Sequence, residues 1–131
     1  MSHWTVAKVR IKNPNQQLLK QALTAIAQEL GVRQVVENYV VYGWGGRRVR
    51  CQFAIPMRLP YGNGYGVYID RNGEIRVVAD DHGAPIDVRE FANKLTQYYT
   101  VLAVQLAAQQ LGFTITDARQ TSQGIVLDLM R

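Results

Sequence analysis

Cysteine, serine and histidine are nearly missing from this chain: Cys51 is the single cysteine, Ser2 and Ser122 are the only serines, and His3 and His82 the only histidines in 131 residues. One cysteine excludes an intramolecular disulfide and a thiolate zinc knuckle, so a reducing, intracellular setting is expected, with a viral origin left open. Neither serine stands in Gly-x-Ser-x-Gly, which removes that nucleophile motif. Gly-Lys-Ser/Thr and a strand-to-helix Gly-x-Gly-x-x-Gly are both missing, which removes the phosphate loop and the dinucleotide fingerprint. No stretch approaches the ~18 consecutive apolar residues that a membrane helix needs, and the opening residues lack a charged n-region and an apolar h-region. The expectation is a cytoplasmic protein.

What is present is ordinary globular composition with a basic lean. Apolar residues make up 47% and charged residues 19%, enough apolar matter for one core, so residues 1–131 read as a single domain. Fifteen cationic side chains face ten acidic ones, for a net charge of +5. Most of the cations are arginine, which favours forked contacts to phosphate or carboxylate; the plain alternative is solubility.

Periodicity orders the elements. Ala7, Val9 and Ile11 alternate with Lys8, Arg10 and Lys12, which predicts a strand over 4–12 with one wet, basic face. Asn13-Pro14-Asn15 supplies a cap. Leu19, Ala22, Leu23, Ile26, Ala27 and Leu30 then recur at helical spacing up to Gly31. Strands follow over 34–42 and 48–57, joined by a glycine-rich tip at 43–46, and 56–64 reads as a loop. Asn72-Gly73 predicts a tight hairpin between 65–70 and 74–80. Asp87 caps a long helix carried to Leu111 and stopped by Gly112, and 113–119 with 124–130 form a last hairpin. The order is strand, helix, four strands, helix, two strands. That order predicts an α+β fold, with a largely antiparallel sheet of six to seven strands and both helices on one face.

Several motifs, in order, resemble those of a known family. Met1-Ser2-His3-Trp4 opens the chain, Tyr42-Gly43-Trp44-Gly45-Gly46 follows the second strand, and Tyr65, Asn72-Gly73 and Val78-Ala79-Asp80 with Gly83 come next. Tyr98-Tyr99, Gly112-Phe113 and Gly124 complete the run, over nearly the whole chain. This resembles the hypothetical chloroplast reading frame thirty-five family of plastids and cyanobacteria, a domain of unknown function. The resemblance implies the same fold and a partner such as an AAA-type ATPase; it implies no catalytic residue. Asp81-His82 stand where that family tends to have tryptophan, and the 56–64 loop looks longer than the family's.

Two constellations could carry function. The first is the tip: Gly43, Gly45 and Gly46 let backbone approach a ligand, Trp44 can stack or plug a pocket, and Arg47, Arg48 and Arg50 can reach anions. Lys8 and Arg10 would extend that patch if their strand were its neighbour. The alternative is a tryptophan folded back onto the sheet. The second is Asp70 with Asp80, Asp81 and His82, placed by the hairpin on adjacent strands and able in principle to hold Mg²⁺, Mn²⁺ or Zn²⁺. Their alternative is turn formation. Cys51, in step with Val49 and Phe53, reads as a buried apolar residue. The leading expectation is a non-catalytic binding or adaptor module that meets a protein through the open sheet face and the tip. A nucleic-acid-binding protein and a metal-dependent hydrolase are the alternatives.

Overall fold

The structure, a computed structural model, describes residues 3–122 and 124–131. Met1 and Ser2 of the opening motif lie outside the described residues. The elements come in the expected order: β1 (Trp4–Lys12), α1 (Gln16–Glu29), β2 (Val36–Tyr42), β3 (Arg48–Pro56), β4 (Gly64–Ile69), β5 (Glu74–Asp80), α2 (Val88–Gln110), β6 (Thr114–Thr121) and β7 (Gly124–Met130). All pairings are antiparallel, as expected for α+β. The strands divide into a five-stranded sheet ordered β1-β5-β4-β3-β2 and a separate two-stranded sheet, β6-β7.

Local chemistry explains the helix ends. Asn15 caps α1, its side chain accepting from the amides of Gln17 and Leu18, and Gly31 takes the left-handed C′ conformation with φ 77°. Asn13 does not cap. It turns left-handed (φ 49°) and donates its amide to the Gly73 carbonyl in the β4–β5 turn. The Asp87 side chain accepts from the Glu90 amide at the start of α2.

One face of the sheet meets the helices. Leu19, Leu23 and Ile26 of α1 and Phe91 and Leu95 of α2 pack with Val9, Tyr65, Val67, Ile75 and Val77. The Tyr65 ring stacks on Phe91 at 4.8 Å, and its hydroxyl donates to the Ile86 carbonyl at 2.6 Å. That one contact fixes both the entry of α2 and its distance from the sheet.

The other face is not open along its length, and the reason is a bend in the β2–β3 hairpin. In a flat sheet of this order the tip after Tyr42 would emerge beside Asp70. Instead the Trp44 amide donates to Asp80, at the opposite end of β5, roughly 20 Å away at ~3.3 Å per residue. The hairpin therefore folds back over the sheet. The bend sits at Asn38, a non-glycine residue with φ 55°, whose side chain accepts from Arg50 Nη1 at 3.0 Å. Opposite it, β3 pairs with β4 only from Phe53 onward, and the Gln52 side chain accepts from the Ile69 amide in place of a strand carbonyl.

Under the folded hairpin lies a second, smaller core of Val41, Cys51, Ala54 and Val78, flanked by Trp4, Val49 and Tyr68. The loop 57–63 holds it closed. Asn63 accepts from the Tyr42 amide at 2.9 Å and donates to the Val40 carbonyl at 2.9 Å, replacing a neighbouring strand along the free edge of β2.

The crossing is closest at Gly66, where a Cβ would stand 2.4 Å from Cys51 Sγ and 2.5 Å from Val41 Cγ2. Gly66→Ala should lift the hairpin and cost about 2 kcal/mol. Urea unfolding reads that loss directly, and an unchanged midpoint would refute the crossing.

Candidate functional site

The folded-back hairpin brings the tip and most of the acidic cluster to one end of the sheet. Asp80 is wholly buried there. One carboxylate oxygen accepts from the His3 amide at 2.7 Å and the other from the Trp44 amide at 3.0 Å. A carboxylate out of water requires such donors, so the acid fixes two distant parts of the chain against β5. Glycine is needed where they meet. A Cβ on Gly43 would lie 2.7 Å from the Trp4 ring and 2.9 Å from the Asp80 carboxylate, and one on Gly62 2.9 Å from the Tyr42 carbonyl.

Asp81, the next residue, serves the opposite face. It accepts from the Val88 amide at 2.7 Å and the Thr5 hydroxyl at 3.3 Å, and His3 Nδ1 lies 2.8 Å away. It thus ties the first turn of α2 to β1, where a carboxylate also meets the favourable end of the helix dipole.

Above these buried acids stands an exposed ridge. Residues 44–46 form a short 3₁₀ turn, with Gly45 and Gly46 at φ 76° and 78°. Trp44 does not fold onto the sheet: it is 65% exposed. The Tyr61 ring meets it edge-on, with centroids 5.6 Å apart and planes at 84°, and the His82 ring lies 5.4 Å beyond Tyr61. Arg47, Arg48 and Arg58 are exposed, and among the described residues none of the three forms a salt bridge.

Other expected members fall elsewhere. Arg50 turns away to Asn38 and lines an open cleft at the bend with Gln16, Glu37 and Gln52. Lys8 and Arg10 do not extend the patch, because β5 and β4 separate β1 from β3. They stand four and six residues down β1 from Trp4, roughly 13 and 20 Å, and Lys8 pairs with Glu74 at 3.1 Å.

The metal quartet is also corrected. Asp70 closes the β4–β5 turn at the far end of β5, accepting from the Asn72 and Glu74 amides and pairing with Arg76 Nε at 2.8 Å. The Glu74 amide, and after it Arg76, hold its carboxyl below the usual range. Asp80 and Asp81 point to opposite faces, the first engaged by two amides and the second by the Val88 amide, the Thr5 hydroxyl and the His3 ring, and His82 faces Tyr61. Among the described residues no three His, Cys, Asp or Glu side chains gather where they could share an ion. Tyr61, Asn63 and His3 were missed. For Tyr61 and Asn63 the only sequence signal was an aromatic and an asparagine set among proline and glycines in Pro60-Tyr61-Gly62-Asn63-Gly64, and for His3 its place in the opening Met1-Ser2-His3-Trp4 motif.

Residues 26–127 match the family designated DUF1257, described as a protein of unknown function, and the chain belongs to it. No curated protein and no solved structure matches the chain. Among the described residues no helix is long and apolar enough to cross a membrane.

Asp80→Asn turns one acceptor into an NH₂ group facing an amide donor, and should cost about 3 kcal/mol while freeing the Trp44 turn. Chemical denaturation together with a red shift and broadening of tryptophan emission would register both effects; a variant matching the wild type in each contradicts the latch. Burial pushes the Cys51 thiol up to about 12. Iodoacetamide at mildly alkaline pH should therefore leave the native protein unlabelled and react with it in urea, whereas rapid labelling of the folded chain would place that thiol outside the core.

Proposed function

We infer that this member of a family of unknown function is a non-catalytic binding module that engages a protein partner through the Trp44–Tyr61–His82 ridge and the arginines beside it. The observation that carries this reading is the exposure of Trp44 on a turn anchored to a buried carboxylate. An indole held in water by a rigid backbone loses little freedom on docking, and Trp, Tyr and Arg are the residues enriched where interfaces concentrate their energy. The sheet face contributes less than the sequence suggested, since the β2–β3 hairpin covers part of it.

The perpendicular set of Trp44 against Tyr61 favours a protein over a single-stranded nucleic acid. Base stacking along a strand uses successive parallel platforms, whereas two rings at 84° form a corner that grips one inserted side chain. Unpaired Arg47, Arg48 and Arg58 suit an acidic rim on that partner. The resemblance to the hypothetical chloroplast reading frame thirty-five proteins supports an AAA-type ATPase as the partner to seek first.

Quantitative affinity capture with the wild type and with Trp44→Ala/Arg47→Ala/Arg48→Ala tests the proposal. Specific partners should fall at least about tenfold on the variant, the loss expected from removing one such anchor, with its thermal midpoint unchanged and nuclease treatment without effect. Equal recovery on both proteins would end the reading. Loss with nuclease, and a capture that weakens steeply with salt, would move it to nucleic acid.

A further inference from the structure

We propose that the end of the molecule remote from the ridge, the C-terminal half of α2 with the β6–β7 hairpin, is a homodimerisation arm, and that its occupant is the same arm of a second copy. The observations are independent of the ridge.

Charge is the first. Residues 95–131 contain Asp117, Arg119, Asp128 and Arg131 and no other charged side chain, so this arm is neutral while residues 1–94 carry the whole net charge of +5. Two copies of a cationic protein repel each other everywhere except at a neutral surface. Between Lys94 and Asp117 no charge occurs at all, although much of that stretch is exposed. Depletion of charge with retention of apolar side chains is the mark of an interface centre.

Shape is the second. Ala103, Val104, Ala107, Leu111, Phe113 and Leu129 line an almost wholly apolar depression between α2 and β7. Large side chains stand free at its edge: Leu111 is 68% exposed and Leu129 44%. Small residues forming the hollow and large ones at its rim make the surface complementary to itself, which a two-fold contact requires.

The third is the strand pair. A hairpin of two strands is marginal in water by itself, and edge strands are normally defended by lysine, proline or a bulge. β7 reads Gly-Ile-Val-Leu-Asp-Leu-Met, apolar on both faces but for Asp128, with neither lysine nor proline, with the hairpin's register shift lying on β6 between Ile115 and Asp117, and with its own outer edge unpaired among the described residues. Antiparallel pairing of β7 with β7 of a second copy converts two marginal hairpins into one four-stranded sheet. The local ion pairs also stay internal, Arg119 reaching Asp117 at 3.5 Å and Asp128 at 3.8 Å, while the Arg131 guanidinium stands over the Phe113 ring, 5.4 Å from its centroid.

Sedimentation equilibrium across the micromolar range tests the proposal with the full chain. The wild type should show twice the 14.8 kDa chain mass. Leu111→Lys/Leu129→Lys changes two exposed positions and should return the monomer, weakening association at least about a hundredfold with an unchanged thermal midpoint of the main body. Trp44→Ala should stay dimeric, which separates this surface from the ridge. A wild type that remains monomeric throughout, or a dimer indifferent to the two lysines or dissolved by Trp44→Ala, overturns the proposal.

Discussion

The Asp80 carboxylate organises one whole end of this protein. Its two amide donors, on His3 and Trp44, are 77 and 36 residues away in sequence. Each charge-assisted bond contributes about 1.5–3 kcal/mol, but the larger constraint is negative. A buried carboxylate lacking those donors would cost far more than the bonds contribute, so β1, β5 and the tip must assemble together. Asp81 applies the same logic on the other face, so two consecutive acids clamp both layers to the end of β5.

Folding the hairpin back follows from that clamp and from three glycines. Gly66 leaves room for Cys51 and Val41 to cross β4, while Gly43 and Gly62 allow backbone to touch Trp4, Asp80 and Tyr42. The crossing covers Val78 and Ala54, which would otherwise be apolar groups on a bare sheet face. Asn63 then occupies the edge of β2. The fold thereby hides part of one face and part of one edge in a single move, and leaves Trp44 as the prominent apolar group at that end.

Features governed by local period were legible in the sequence: the alternation of β1, the stripe of α1, the Asn72-Gly73 turn and the capped start of α2 all stand where the spacing put them. The bend was not legible, because it depends on one residue. Val36 to Tyr42 reads as a strand whose one local mark of a bend is Asn38 itself, a residue disfavoured in strands and tolerant of a left-handed φ; its partner Arg50 and the substitute acceptor Gln52 lie on another strand. The acidic quartet failed for a reason the sequence did contain. Counting outward from Asn72-Gly73 puts Asp80 opposite the far end of β4, and the observed register, with Gly66 facing Val78, sets Gly64 at that position, while Asp70 stays at the turn. The terminal hairpin was recognised as a hairpin but assigned to the main sheet, since alternation shows that a strand exists and says nothing of its neighbour.

The ridge and the arm sit at the two ends of one rigid rod. α2 starts at Val88, whose amide is held by Asp81 beneath the ridge, and runs 23 residues, about 34 Å, to the arm. Its first half is packed against α1 and β1, so the spacing between the two ends is set by a helix anchored in the core. A pair joined at the arms would carry its two ridges pointing apart at fixed separation. On a partner that repeats its docking site, such a pair would make two contacts, the second forming at the effective concentration of a tether. Weak individual ridges could then hold firmly with no additional contact surface.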